Sequence, residues 1–242
     1  MRYICLTLQQ AVNMEDSHKT PRASHRCILI VNPNGNPEVT ARIQDCADRV
    51  LGPDSRALVI QPKESPYSIE TPADRACAEP LVLDLLAQNH GYNAYVIACF
   101  DDIAVTPARR CMSMPVIDAV EAAILAARAL VWRFSIVTTV DTMVPGIQAL
   151  VDRYGASGQC TVHAAGVGVA AAAEGKPEAL SRLNAAIIQA REIDGAEAII
   201  LGSGGLAGHA ARLSLEHGLP VIDCIEAAIM RADSKARGAL TP

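Results

Sequence analysis

The sequence predicts an α/β protein made of two similar doubly wound parallel-sheet domains, related by a pseudo-twofold axis and separated by a cleft. Three observations carry that prediction. Residues 115–127 read P-V-I-D-A-V-E-A-A-I-L-A-A and residues 220–232 read P-V-I-D-C-I-E-A-A-I-M-R-A, nine of thirteen positions identical, so the chain repeats itself. Short apolar runs alternate with helix-like segments, a rhythm that builds parallel sheets covered by helices. Hydrophobic residues make up 50% of the 242 positions but aromatic ones only 3%. The core must therefore be Ala, Val, Ile and Leu, which suits helices on buried strands better than a β-sandwich.

Residues 1–26 are aperiodic and polar around Asp16 to Pro21, and read as a flexible extension. The first strand is Cys27 to Val31, ended by the turn-forming run Asn32-Pro33-Asn34-Gly35-Asn36-Pro37. A helix follows to about Val50, then a strand from Arg56 to Ile60. Thr71-Pro72 opens a helix that runs toward Gly91, a C-terminal glycine signal. Asn93 to Ala98 is the next strand, followed by a loop at Cys99, a short helix near Pro107 to Arg110 and the first repeat unit. The first domain spans 27–132 and the second 133–242. Phe134 to Val137 opens the second rhythm, with Cys160 to Ala165 a strand and Pro177 to Ile193 a helix. Glu197 to Leu201 is a strand, Leu206 to His217 a helix closed by Gly218, and the second repeat unit starts at Pro220. Its helix has the option of packing back on the first domain, while the last ten residues read as a loose tail.

The composition excludes several classes of partner. A formal charge of −5 without a basic run argues against nucleic acid or an anionic membrane surface. No apolar stretch reaches the roughly 20 residues that span a bilayer. A small-molecule substrate, a cytoplasmic location and a homo-oligomer are the expectations. Eight cysteines without a C-x-x-C pair, and six histidines without H-x-x-x-H spacing, argue against a structural zinc site and leave no metal assigned.

Counting back from the repeated prolines, Cys99 lies 16 residues before Pro115 and Ser203 lies 17 before Pro220, which makes the two counterparts. Asn32 precedes Cys99 by 67 residues and Thr138 precedes Ser203 by 65. All four positions follow apolar strands, where parallel sheets bind ligands. A thiol there should meet backbone N–H groups and a helix N-terminus, which favour thiolate over an ordinary pKa near 8.5. Two acid/base groups on opposite faces of one carbon can invert it, one removing a proton and the other returning one. Gly202, Gly204 and Gly205 are expected to leave backbone N–H groups open to an oxyanion.

At these residues the sequence resembles the aspartate/glutamate/hydantoin racemase superfamily, and within it the hydantoin and allantoin racemase branch. The matching elements are Ile30-Val31-Asn32-Pro33-Asn34, Ala98-Cys99-Phe100-Asp101-Asp102, Pro115-Val116-Ile117, Phe134 to Thr139, Leu201-Gly202-Ser203-Gly204-Gly205-Leu206 and Pro220-Val221-Ile222-Asp223. The resemblance implies a cofactor-independent racemase of a five-membered cyclic ureide, a 5-substituted hydantoin or allantoin. Cysteines from the two halves would act as acid and base. Asn32, Phe100, Thr138, Thr139 and the three glycines would form the substrate site.

Ser203 departs from the pattern, because the family carries its second cysteine there. A serine hydroxyl without an adjacent base is too weak an acid to supply a base at neutral pH. Three accounts fit: an inactive Cys-to-Ser variant, a one-thiol decarboxylase of arylmalonate type, or a catalytically silent binder of ureides or amino acids. Among the remaining polar residues, His209 reads as a surface or capping histidine and Cys224 as a bystander. Glu121 and Glu226 read as helix N-terminal acids, and Asp101 and Asp102 as caps of the following helix.

Overall fold

The computed structural model describes residues 25–238; apart from His25 and Arg26, the expected N-terminal extension lies outside the described residues. Two four-stranded sheets share one plan. Strands β1 (Arg26–Val31), β2 (Ser55–Ile60), β3 (Ala94–Ile97) and β4 (Val116–Asp118) form a parallel sheet in the order β2-β1-β3-β4. Strands β5 (Phe134–Thr138), β6 (Cys160–Ala164), β7 (Ala198–Leu201) and β8 (Val221–Asp223) repeat it as β6-β5-β7-β8. Even the register repeats, Val31 standing opposite Ile97 in the first sheet and Val137 opposite Leu201 in the second. In both sheets the chain order reverses at the first strand, so the crevice beyond its carboxyl end is a switch point of the fold.

The helices form where local chemistry starts them. Asn36 caps α1 (Pro37–Val50) by accepting the Glu38 N–H, with Pro37 at the first turn. Thr71 and Asp74 form a reciprocal capping box at the start of α2 (Pro72–Gln88). Helices α3 (Val105–Cys111) and α4 (Ala119–Arg128) complete the first half, and Asp118 caps α4. In the second half α5 (Val144–Arg153) and α6 (Val169–Ala173) fill stretches that the sequence reading left blank. Then come α7 (Pro177–Glu192), α8 (Ala210–His217) and α9 (Cys224–Gly238). Gly208, at φ +85° and with its N–H taken by Asp223 Oδ2, separates α8 from a short 3₁₀ turn at Gly204–Leu206, so the expected single helix from Leu206 is broken.

The expected loose tail over the last ten residues is corrected for 233–238, while 239–242 lie outside the described residues. Helix α9 continues through residues 233–238, and Asp233 on it pairs with Arg26 at 3.1 Å and accepts from Ser55. Arg26 therefore belongs to β1 rather than to the extension. Ala228, Ile229, Ala232 and Ala236 on α9 share one apolar cluster with Ile28 and Ile30 of β1 and with Ile136 and Ile200 of the second sheet. Each fully buried isoleucine in this cluster contributes roughly 2 kcal/mol. The two sheets are thus joined through a common core. No helix among the described residues is long and apolar enough to cross a membrane.

Candidate active site

The loops after six of the eight strands enclose one small cavity between the halves. From β1 the chain turns through a ladder of asparagine amides. Asn32 Nδ2 donates to Asn34 Oδ1 at 3.0 Å and to Thr40 Oγ1 at 2.9 Å, and the Asn36 N–H donates to Asn34 Oδ1 at 3.0 Å. Asn32 is fully buried and its amide is used up in holding the turn, whereas Asn34 reaches the cavity wall. The sequence reading put Asn32 in the substrate site; the structure puts it behind Asn34.

Cys99 and Phe100 line the cavity from the end of β3. Their loop is tied on both sides. Asp101 accepts the Asp102 N–H at 2.7 Å and faces Arg75 at 3.5 Å, while Asp102 forms an ion pair with Arg153 from the second half. Neither caps α3, which begins instead at Ala104, a non-glycine residue at φ 58°. The acids that the sequence reading treated as caps are loop anchors. Burial pushes the Cys99 thiol well above its ordinary range; the Asp101 carboxylate adds to this and Arg75 opposes it. The expectation of a thiolate-favouring strand end is therefore reversed in the ligand-free protein. Desolvation and the nearby acids outweigh the loop N–H groups, and Cys99 stands as a protonated thiol at neutral pH.

Ser203 lines the same cavity from the end of β7, 7% exposed, with its Oγ accepting the Gly205 N–H at 3.3 Å. The glycines beside it serve close packing more than oxyanion binding. The Gly202 N–H continues the sheet by donating to Val137 O at 2.9 Å, and a Cβ on Gly202 would lie 2.7 Å from Ile136 Cγ2 and 3.1 Å from Phe100 Cδ1. A Cβ on Gly205 would meet Val169 O at 2.8 Å. The Gly202 and Gly205 N–H groups are thus both engaged within the fold. Thr138 Oγ1 donates to Gly202 O at 2.9 Å, which locks the ends of β5 and β7 together, and Thr139 completes that wall.

Ile69, Met143 and Val169 form the remaining wall, and none was foreseen. They sit in the connections that follow β2, β5 and β6, Met143 in a 3₁₀ turn and Val169 at the start of α6, so treating every strand end alike reaches them. Among the described residues no charged side chain lines the cavity. Its volume is about 30 Å³.

The other residues that the sequence singled out lie outside this lining. Cys224 is fully buried at the start of α9; burial and Asp223 push its thiol up, while the Ser203 backbone hydrogen bond opposes this. His209 precedes α8 and its Nε2 is buried without a partner among the described residues; burial, then Arg42 and Arg212, lower its pKa. Glu121 pairs with Arg109 at 2.6 Å and Glu226 with Arg49 at 2.7 Å. Cys46, Asp223 and Glu226 bring metal-type donor atoms within 4.8 Å of one another. However, Asp223 already accepts the Gly208 and Ile225 N–H groups and Glu226 is held by Arg49.

Residues 28–232 match the family described as Asp/Glu/Hydantoin racemase. A hydantoin racemase of Rhizobium meliloti is 38% identical over 210 residues, covering 86% of this chain and 87% of the relative. The solved structure of an allantoin racemase from Klebsiella pneumoniae superposes with a TM-score of 0.84 at 34% identity, covering 88% of this chain and 89% of that one. The allantoin racemase of Pseudomonas fluorescens gives 0.83 at 30% identity, covering 88% and 92%.

Proposed function

The chain belongs to the Asp/Glu/Hydantoin racemase family, and from that premise we propose that its cavity binds a five-membered cyclic ureide, a 5-substituted hydantoin or allantoin, for proton transfer at C5. Cys99 is one acid/base group and position 203, in its cysteine form, is the other. The observation that carries this reading is that Cys99 from one half and Ser203 from the other line one cavity in which no charged side chain stands among the described residues. An α-amino acid substrate brings a carboxylate and an ammonium, each of which would need a charged partner once desolvated. A neutral ureide needs only hydrogen bonds, and Asn34, Thr138, Thr139 and the Gly204 N–H offer donors and acceptors of that kind.

The mechanism follows from the two faces. Cys99 must first lose its proton, because its burial favours the neutral thiol. As thiolate it removes the C5 proton, and negative charge spreads onto the ring carbonyl oxygens, where loop N–H donors stabilise it. A thiol at position 203 then delivers a proton to the opposite face and inverts the carbon. With serine there, the opposite step lacks an acid/base group of suitable strength. The Cys99 face alone remains active, taking a proton and returning a solvent-derived one to the same side.

A one-thiol decarboxylase acting on a 2-substituted malonate is the second reading, favoured by the protonated state of Cys99, which suits a thiol that only delivers a proton to a carbanion. Against it stands a wall that carries no cationic side chain among the described residues, since a malonate is a dianion.

Ser203→Cys separates the readings. Circular dichroism of resolved hydantoins and allantoin should show racemisation by Ser203→Cys and none by Ser203→Cys combined with Cys99→Ala. Carbon dioxide release from an arylmalonate by the unaltered chain, without ureide racemisation by Ser203→Cys, would replace the racemase reading with the decarboxylase.

A further inference from the structure

The strap formed by residues 61–71, between β2 and α2, is fastened to both halves. On its own side, Ser65 Oγ donates to Pro33 O at 2.6 Å, the Gly35 N–H donates to Pro66 O at 2.8 Å and Gln61 Nε2 donates to Gly35 O at 2.7 Å. A Cβ on Gly35 would lie 2.6 Å from Ser65 O, so the turn after β1 and the strap touch backbone to backbone. On the far side one residue makes the connection. Glu70 Oε1 accepts the Val169 N–H at 2.8 Å, and Glu70 O accepts the Thr142 hydroxyl at 2.6 Å.

Those two bonds close a ring around the cavity. Ile69, Met143 and Val169 are the apolar wall, and each is the partner, or the chain neighbour of a partner, in the Glu70 clasp. The cavity holds about 30 Å³, little room for a five-membered ring that carries two carbonyl oxygens and a C5 substituent. Something on this wall must yield before a ligand enters. The two Glu70 bonds are the polar links that hold the strap to the second half beside the cavity, and each is worth only about 1 kcal/mol net.

We propose that Glu70 is the clasp of the active-site cavity: a positioning residue whose two bonds hold Ile69 against Val169 and Met143, so that its release opens the way to Cys99 and its closure fixes the room left for the ring substituent. The clasp concerns the same cavity as the ureide reading, but it can be tested without any turnover. The Cys99 thiol is its reporter.

Alkylation of the full chain with iodoacetamide, followed cysteine by cysteine by peptide mass spectrometry, reads the clasp directly. Exposed Cys77 and Cys111 are the reference thiols, and buried Cys46, Cys160 and Cys224 report unfolding. Glu70→Ala should label Cys99 about five- to tenfold faster than the unaltered chain, the factor expected for losing about one hydrogen bond from a local closure. Glu70→Gln keeps an acceptor oxygen for the Val169 N–H and should restore a rate near that of the unaltered chain. Thr142→Val, at an exposed position, should give a smaller increase of about two- to threefold, with Cys77 and Cys111 unchanged throughout. Unchanged Cys99 labelling in both Glu70→Ala and Thr142→Val, or equal acceleration by Glu70→Ala and Glu70→Gln, would overturn the proposal. If Glu70→Ala also exposes the buried thiols, Thr142→Val against the unaltered chain decides. A chain that obeys these rates yet binds no hydantoin would retain the clasp and lose the ureide reading.

Discussion

Tyr154 donates its hydroxyl hydrogen to the Asp118 carboxylate, a bond from the second half of the chain to the first beside the end of β3. Burial raises the Asp118 carboxyl from 3.8 to about 6, opposed by Tyr154 and by the Val120 N–H. A folded pKa above the unfolded one means that ionising this group works against the fold. The cost grows as pH rises from about 4 to about 6 and is constant above that. Tyr154→Phe removes a donor that favours the carboxylate, so it should destabilise by about 1–2 kcal/mol at pH 7.5 and by less at pH 4, where the carboxyl in the folded chain is protonated. Urea denaturation of both chains at the two pH values checks this; an equal loss at both would show that Tyr154 does not act through the ionised Asp118.

The Cys99 thiol should behave as a poor nucleophile in the ligand-free protein. Its pKa is raised by burial and by Asp101, so at pH 8 it should react at least about tenfold more slowly than exposed Cys77. The rate should still climb beyond pH 10, where an ordinary thiol has levelled off. A pH profile of alkylation at each cysteine gives the answer, and a plateau for Cys99 below pH 9 would disagree.

Asn34 and Asn32 should separate contact from support. Asn34 faces the cavity while Asn32 spends its amide on Asn34 and Thr40. Asn34→Ala should abolish stabilisation by added hydantoin in a thermal-shift assay, and it should also lower the melting temperature of the free protein, because Asn34 Oδ1 accepts from Asn32 Nδ2 and the Asn36 N–H. Asn32→Ala leaves buried partners unsatisfied, and should cost about 1–3 kcal/mol of stability as well.

Gly202 should tolerate no side chain. The Cβ of Gly202→Ala would press on Ile136 and on the Phe100 ring from the opposite half. A cost of about 1–3 kcal/mol in urea denaturation is expected, as for overpacking a filled core. A neutral substitution would mean that the approach of the two loops is looser than the structure has it.

The fold was legible because its signals are periodic. Apolar strands such as Cys27 to Val31 and Phe134 to Val137 end in turn chemistry, and the repeat at Pro115 and Pro220 sets the two halves in register. That register also paired Cys99 with Ser203. Ile69, Met143 and Val169 were invisible because they sit in short connecting segments without periodicity, and only the packing of one half on the other puts them on a common wall. The same holds for the roles of Gly202 and Gly205, whose close neighbours come from distant segments. The sign of the Cys99 shift depended on burial and on Asp101 outweighing backbone N–H groups, a balance that sequence order does not contain. The continuation of α9 was hidden because its anchors are Arg26 and Ser55, some 200 and 180 positions away in the chain from Asp233.

The central claim is that Cys99 and position 203 serve opposite faces of one carbon. Proton NMR in heavy water, with each enantiomer of a 5-alkylhydantoin incubated separately with the chain carrying Ser203, tests it most directly. The account predicts that deuterium enters C5 of one enantiomer without inversion, and that the other, presenting its proton to Ser203, stays almost unlabelled. Labelling of both enantiomers at similar rates, or of neither, would contradict it.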